Sequence, residues 1–329
     1  MDTLARGFAA AGHEVLLAAP SDSTCPVPRV PGMRAADPGG INISLSESSH
    51  VVRAYEGLQD VDIIHDHTLS GPLYLHRPSG VPTVTTIHGP IGREAGDVYR
   101  AIGRHGAIIA ISRDQASHAP DVPVTRVIHH GMDISSVPVG TGTGGYLCFV
   151  GRACPDKGLP EAIMIARRAG VPLRIAVKMR EEDELRYFRD VVEPMLGSNE
   201  EFVGEIDDSM KYKLMGEAVA FLNPIQWSEP FGLVMIEALA TGTPVIGTSI
   251  GSAPEIIEHG RTGFLGSVDD LADFVPAAAA LDRATCRQAV EERFSARRMV
   301  EDHLLLFREL VEGRTPGGVP DAAAVHQNL

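Results

Sequence analysis

The chain has 329 residues, of which 44% are hydrophobic and 22% charged, and a net charge of −14. That length suffices for two cores, since single cores seldom grow past about 250–300 residues. The acidic balance is spread over residues 1–144 (10 Lys/Arg against 14 Asp/Glu) and the remainder (19 against 29) with no basic run, which argues against nucleic acid and against strong electrostatic docking on anionic lipid, leaving weaker peripheral membrane contact open.

No stretch approaches the roughly 20 apolar residues of a membrane span, and no charged-then-apolar leader opens the chain. Cys25, Cys148, Cys154 and Cys286 show neither metal-ligand pairing nor disulfide spacing, so a reducing cytoplasm is the expected location.

Residues 3–11 (TLARGFAAA) read as a helix that Gly12-His13 ends, ahead of a strand over 14–18. The run 20–40 is rich in Pro, Gly, Ser and Asp and reads as loop. A helix is predicted over 49–57 and strands over 61–65, 83–87 and 107–111, each apolar and β-branched on both faces. Strands alternating with helices indicate a doubly wound parallel sheet, which binds ligands beyond the carboxyl ends of its strands. Three polar clusters fall there: HDHT at 65–68, HGP at 88–90 and SRDQ at 112–115. His65 and His67 could chelate a metal with Asp66 and His88 nearby. Without a fixed third ligand, polar strand-end residues lining a cleft are favoured, and no metal site is assigned.

PVGTGTGG (138–145) is expected to link two domains, 1–140 and 141–311. Its glycines precede a strand instead of following one, so they are not a dinucleotide fingerprint. A strand over 146–150 leads into GRACPDKGLPEAIMIARRAG, where Leu159, Ile163 and Ala166 recur at helical spacing. Arg152 and Lys157 lie in the strand-to-helix loop just ahead of that helix. Together they suit a diphosphate, with Arg giving directional hydrogen bonds and Lys a point charge. A strand over 172–178, a charged helix over 181–196 and a short strand over 201–204 follow. Met210, Leu214 and Ala218 then make an inward stripe. The last long helix, 296–311, has the periodicity to pack on a core, and the tail 312–329 is expected to be disordered.

The stretch from Asn223 to Gly263 organises the second half. It reads as a strand over 218–222, a loop carrying Glu229, a helix starting around Pro230–Gly232 and a strand over 244–248. On that start Glu237 lies about two turns into the helix, roughly 10 Å along its axis. Carboxylates so far apart cannot share a proton or a single metal ion. They can grip two ends of one elongated ligand while the helix N-terminus between them holds an anion, with Gly232 admitting a phosphate close to the backbone. Each glutamate taken alone reads more readily as a solvated residue of an amphipathic helix.

The whole string EPFGLVMIEALATGTPVIGT followed by GSAPEIIEHGRTGF resembles the nucleotide-sugar-binding signature of retaining glycosyltransferases of family 4, which have the GT-B fold. The resemblance implies two facing Rossmann-like domains with a cleft between them. It implies transfer of a sugar, with retention and without metal or other cofactor, from a nucleoside diphosphate sugar to a sugar, lipid or small-molecule acceptor held mainly by the N-terminal half. In that reading Arg152 and Lys157, in the family's Gly-Arg…Lys-Gly arrangement, hold the donor phosphates together with the N–H groups near Phe231, Gly232 and Leu233. Glu237 accepts from ribose hydroxyls and Glu229 from a hydroxyl of the donor sugar. His88, in a His-Gly pair, stands against that sugar, and Glu205 and Ile206 approach the nucleobase. HHGMD at 129–133 resembles the family's final N-domain strand and turn, and is read as structural. An inactive nucleotide-sugar-binding protein and a GT-B epimerase or phosphorylase are the alternatives.

Family members open with a strand and a glycine-rich loop that have no counterpart before Asp2. The expectation from this is an N-terminally shortened, aggregation-prone and poorly active chain, with about 20–40 residues of one further βα unit upstream.

Overall fold

A computed structural model describes residues 1–36 and 43–313. It divides into two compact units, Met1–His129 together with the chain from Met299 on, and His130–Arg298.

The first unit runs α1 (Asp2–Ala10), α2 (Ile43–Gly57), β1 (Ile64–Asp66), β2 (Thr83–Thr86), α3 (Arg93–Ile102), β3 (Ala107–Ala110), α4 (Arg113–Ser117) and β4 (Arg126–Val127). Its sheet is parallel in the order β1-β2-β3-β4. Every residue of β2 and β3 is buried; β3 (AIIA) is apolar on both faces, whereas β2 (TVTT) buries three threonines, whose β-branched side chains suit a strand. β1 begins at Ile64, later than its apolar run suggests, because the ladder starts where Ile64 meets Thr83. The segment 14–18 is not a strand. Leu17 alone pairs, donating to the Pro28 carbonyl and accepting from the Val30 N–H, and this makes one isolated bridge to Arg29. Apolar residues supply a face, but only a neighbouring backbone makes a ladder. Residues 37–40 of the expected loop, and the expected tail from 314 on, lie outside the described residues.

The second unit runs β5 (Leu147–Arg152), α5 (Leu159–Ala169), β6 (Leu173–Lys178), α6 (Glu182–Tyr187), β7 (Glu200–Gly204), α7 (Asp208–Glu217), β8 (Ala220–Asn223), α8 (Leu233–Ala240), β9 (Val245–Thr248), α9 (Ala253–Ile256), β10 (Gly263–Gly266), α10 (Val275–Ala279) and α11 (Arg283–Arg293). The sheet order is β10-β9-β8-β5-β6-β7, all parallel. The chain therefore leaves β5 in one direction and returns on its other side at β8. Leu147, Ile163, Leu173, Ile175, Leu222 and Ile246 form the core, none more than 1% exposed. Each such side chain contributes about 1.5–3 kcal/mol on leaving water.

Three expectations change here. The glycine-rich run 138–145 is bound into this unit: Gly140, Gly142 and Gly144 donate to the carbonyls of Thr241, Gly216 and Glu217, and Arg283 donates to the Gly140 carbonyl. The helix expected over 181–196 ends at Tyr187 and continues as a π turn and a 3₁₀ turn. The third change concerns α8, which starts at Leu233, because Gly232 has φ +77° and cannot continue the helix backwards to Pro230. Glu237 is thus only about 6 Å along the axis from the first helical residue.

α12 (Ala296–Val311) belongs to the first unit from Met299 on. Its Met299, Val300, Leu306 and Phe307 are buried with Leu4, Val84, Ile109 and Ile128, and Arg126 reaches Glu309 at 2.8 Å. No described helix is long and apolar enough to cross a membrane.

Candidate active site

The loops that follow β5 and β8 meet at the carboxyl ends of two adjacent strands. Gln226 N–H donates to the Asp156 carbonyl. Gly158 abuts the Pro224 carbonyl so closely that a Cβ there would lie 1.9 Å from its oxygen. Lys157 Nζ donates to both oxygens of Glu229, at 2.6 and 2.5 Å. These two side chains are only 20% and 15% exposed, and the Trp227 ring lies 5.8 Å from Nζ. A strand order that reverses at β5/β8 makes this the topological switch point of the sheet, where open parallel sheets bind their ligands.

Gly232 caps α8 beside this pair without any side-chain hydrogen bond to the helix. The first-turn N–H groups of a helix point outward along its axis and attract anions. Arg152, at the end of β5, donates through Nε to Glu184 Oε1 at 2.5 Å and stays 60% exposed. Glu237, in the second turn of α8, accepts from Lys211 Nζ at 2.9 Å. Burial pushes the Glu237 carboxyl up, with Lys211 opposing. Arg152, Lys157, Glu229 and Glu237 thus each have a counter-charge within hydrogen-bond reach.

In the first unit the polar clusters also sit at strand ends. Asp66 accepts from Tyr55 Oη at 2.7 Å and from the Thr68 N–H at 2.7 Å. His65 bonds Thr86 Oγ1 at 2.7 Å, and His67 bonds His88 at 2.8 Å. Burial, then His67, His303 and His88, holds His65 well below the ordinary histidine range, and burial lowers His88 likewise. Gln115 fixes the His88–Gly89 turn, donating to the carbonyls of Ile87 (3.2 Å) and Gly89 (2.7 Å) while accepting from Ile111 N–H. Among the described residues no three His, Cys, Asp or Glu are arranged to hold a metal ion.

Residues 1–136 match the family described as Glycosyltransferase Family 4, and residues 139–288 match Glycosyl transferases group 1. The chain belongs to glycosyltransferase family 4. Its two parallel-sheet α/β units are those of the GT-B fold. The glycogen synthase of Mycobacterium tuberculosis is 30% identical over 246 residues, 66% of this chain and 59% of that protein; the chain thus spans about three fifths of that relative's length. AviGT4, a glycosyltransferase involved in avilamycin A biosynthesis, aligns with a TM-score of 0.68 at 25% identity, over 96% of this chain and 90% of that one. Anabaena Alr3699/HepE, solved with UDP-glucose, aligns with a TM-score of 0.63 at 20% identity over 82% of each chain.

The residues expected to act in this family 4 chain fall into groups. Arg152, Lys157, Glu229, Gly232 and Glu237 all belong to the second unit, whereas His88 belongs to the first. Phe231 is 2% exposed and packs edge-to-face on His130 and Phe294, so its ring is a core element and only its backbone can face a ligand. Leu233 is 48% exposed at the helix start. Glu205 pairs with Arg180 at 2.8 Å. Ile206 instead lines a cavity of about 420 Å³ with Tyr146, Arg174, Val203 and Met210, along the side of α7.

Two residues of the site escape sequence reasoning. Lys211 is 26 positions from Glu237 and Glu184 is 32 from Arg152, so no local spacing betrays either. Glu184 accepts from the N–H groups of Arg180 (2.9 Å) and Glu181 (3.2 Å) besides Arg152. The Arg180 N–H first, then those of Glu181 and Arg152, outweigh burial and lower its carboxyl to about 2 from the usual 4.5. A depressed carboxyl stabilises the fold fully above its unfolded value and loses that stabilisation as pH falls towards the folded one. Glu184→Gln should therefore melt below wild type at neutral pH, with the gap closing between about pH 4.5 and about pH 2. Thermal melts across that range check this, and a gap that does not change with pH contradicts it.

Proposed function

We propose that the protein transfers a sugar from a nucleoside diphosphate sugar to an acceptor, with retention and without a metal ion. The observation that carries this is the Lys157–Glu229 pair bridging the β5 and β8 loops beside the Gly232 helix cap. Cleaving the bond between the sugar carbon and the diphosphate oxygen leaves negative charge on the departing diphosphate. Lys157, Arg152 and the α8 N–H groups stabilise that charge where it grows, the task a metal ion performs elsewhere. On donor binding, Lys157 exchanges the Glu229 carboxylate for phosphate, and Glu229 turns to a hydroxyl of the donor sugar. Glu237 accepts from the ribose hydroxyls. The resemblance to retaining family members supports the stereochemistry.

The two glutamates test this. Glu237→Gln should weaken binding of nucleoside diphosphate and nucleoside diphosphate sugar alike, by about 1.5–3 kcal/mol for a lost hydrogen bond to a charged group. Glu229→Gln should weaken only the sugar-bearing donor. It should leave the free diphosphate unchanged or tighter bound, because Lys157 loses its competing partner. Calorimetric titrations with both ligands decide it, and equal losses in both variants would overturn the assignment.

A further inference from the structure

α7 lies against α8, and the two helices meet through one cation. Lys211 Nζ sits 2.9 Å from Glu237 Oε1 and 2.8 Å from Asp208 Oδ1, and 5.1 Å from the Tyr212 ring centre. Its side chain is 15% exposed and that of Glu237 is 21% exposed, whereas that of Asp208 is 80% exposed. Lysine is rarely buried to this extent, because its ammonium ion is strongly hydrated and its removal from water is costly. Burial disfavours the charge on Lys211, and Asp208 and Glu237 together outweigh it.

We propose that Lys211 is the positioning residue for Glu237: it keeps that carboxylate charged and aimed, so that Glu237 accepts the ribose hydroxyls of a ribonucleoside diphosphate. This deepens the proposed function and rests on it. A pair that served only to join two helices would be replaceable by apolar contact, often at no loss of stability. A ligand-binding carboxylate needs its charge.

The surroundings leave that charge to Lys211. From α7, Asp208 adds negative charge and Tyr212 is a neutral phenol whose proton burial and Glu237 hold in place. From α11, Arg283 and Arg287 donate to carbonyls that include those of Gly140, Gly216, Val137 and Ala240. α9 brings only the acidic Glu255, and β8 and β9 carry no charged residue. Without Lys211, burial and the Asp208 charge together govern Glu237 and shift its proton equilibrium further towards the neutral acid, which accepts hydroxyl hydrogen bonds weakly.

The test uses the full chain and calorimetric titration with uridine, guanosine and adenosine diphosphates between about pH 5 and about pH 8, the range in which folded proteins are generally most stable. With whichever diphosphate the wild type binds, Lys211→Met should stay within about threefold of wild type at the upper pH and weaken by about tenfold relative to it at the lower, one pKa unit being one decade. Lys211→Arg should restore the wild-type profile. Adding Glu237→Gln to Lys211→Met should abolish the pH dependence, because the coupling runs through that carboxyl. If Lys211→Met does not fold, Lys211→Gln, which donates a hydrogen bond without charge, replaces it. A Lys211→Met or Lys211→Gln profile that overlays wild type, or a loss that does not change with pH, overturns the inference alone. A wild type that binds none of the three diphosphates overturns the proposed function, and this inference with it.

Discussion

Lys157→Ala should cut turnover by about 10²–10³, the cost of removing one preorganised donor from a site of growing negative charge. The structure adds a second consequence. Glu229 is only 15% exposed and takes both of its short contacts from Lys157. Removing the cation strands a mostly buried carboxylate, so thermal stability should fall as well, by about 1–3 kcal/mol for an unsatisfied group. The double change Lys157→Met with Glu229→Gln separates the two effects. It should recover most of the stability, since no charge is left unpaired, and none of the turnover. The assay would use the donor that most raises the melting temperature of the wild type, since a ligand of the native state stabilises it. Wild-type turnover in Lys157→Ala would end the assignment of that lysine to the diphosphate.

Gly158→Ala should be among the most damaging single-methyl additions in the chain. Gly158 has φ +72°, where any other residue strains, and its added Cβ would lie 1.9 Å from the Pro224 carbonyl oxygen. The left-handed backbone costs about 1–2 kcal/mol, and forcing apart packed loops costs about 1–3 kcal/mol more. Relative to a total stability of about 5–15 kcal/mol, that is a large fraction. Since the β5 and β8 loops carry Lys157 and Glu229, activity should fall with stability. Gly170→Ala is the control at the other end of α5: φ is +67° but nothing lies within 4 Å of the added carbon. Melting curves should show Gly158→Ala falling several degrees further than Gly170→Ala. Equal losses would mean that the Pro224 contact is soft and the two loops are not locked together.

Much of the second unit is legible from local sequence. The runs LCFVGR, LRIAVK, AFLN and VIGT are apolar, and an apolar run bounded by turn residues becomes a strand of a two-sided sheet wherever helices cover it. The string from Glu229 to Gly263 holds its own loop, helix and strand in one stretch, so the roles of Glu229, Gly232 and Glu237 could be suggested from residues adjacent in the chain. Gly232 shows the limit of this. Proline at 230 is a good first helical residue by its own chemistry, yet the left-handed backbone at Gly232 starts the helix after it.

What adjacency cannot convey was decided by tertiary structure. Residues 14–18 have a strand's composition, but only Leu17 finds a backbone to pair with, because a ladder depends on a distant segment arriving in register. Phe231 sits inside the signature and still turns its ring into the core, onto His130 and Phe294. Sequence pointed to candidate side chains for a sugar nucleotide: one cation that ends β5 and one just after it, and two carboxylates around α8. Folding determined how those charges are held, by Glu184 for Arg152, by Glu229 for Lys157 and by Lys211 for Glu237. A partly buried charge needs a partner within hydrogen-bond reach, and the fold supplies it from 26 to 72 residues away in the chain.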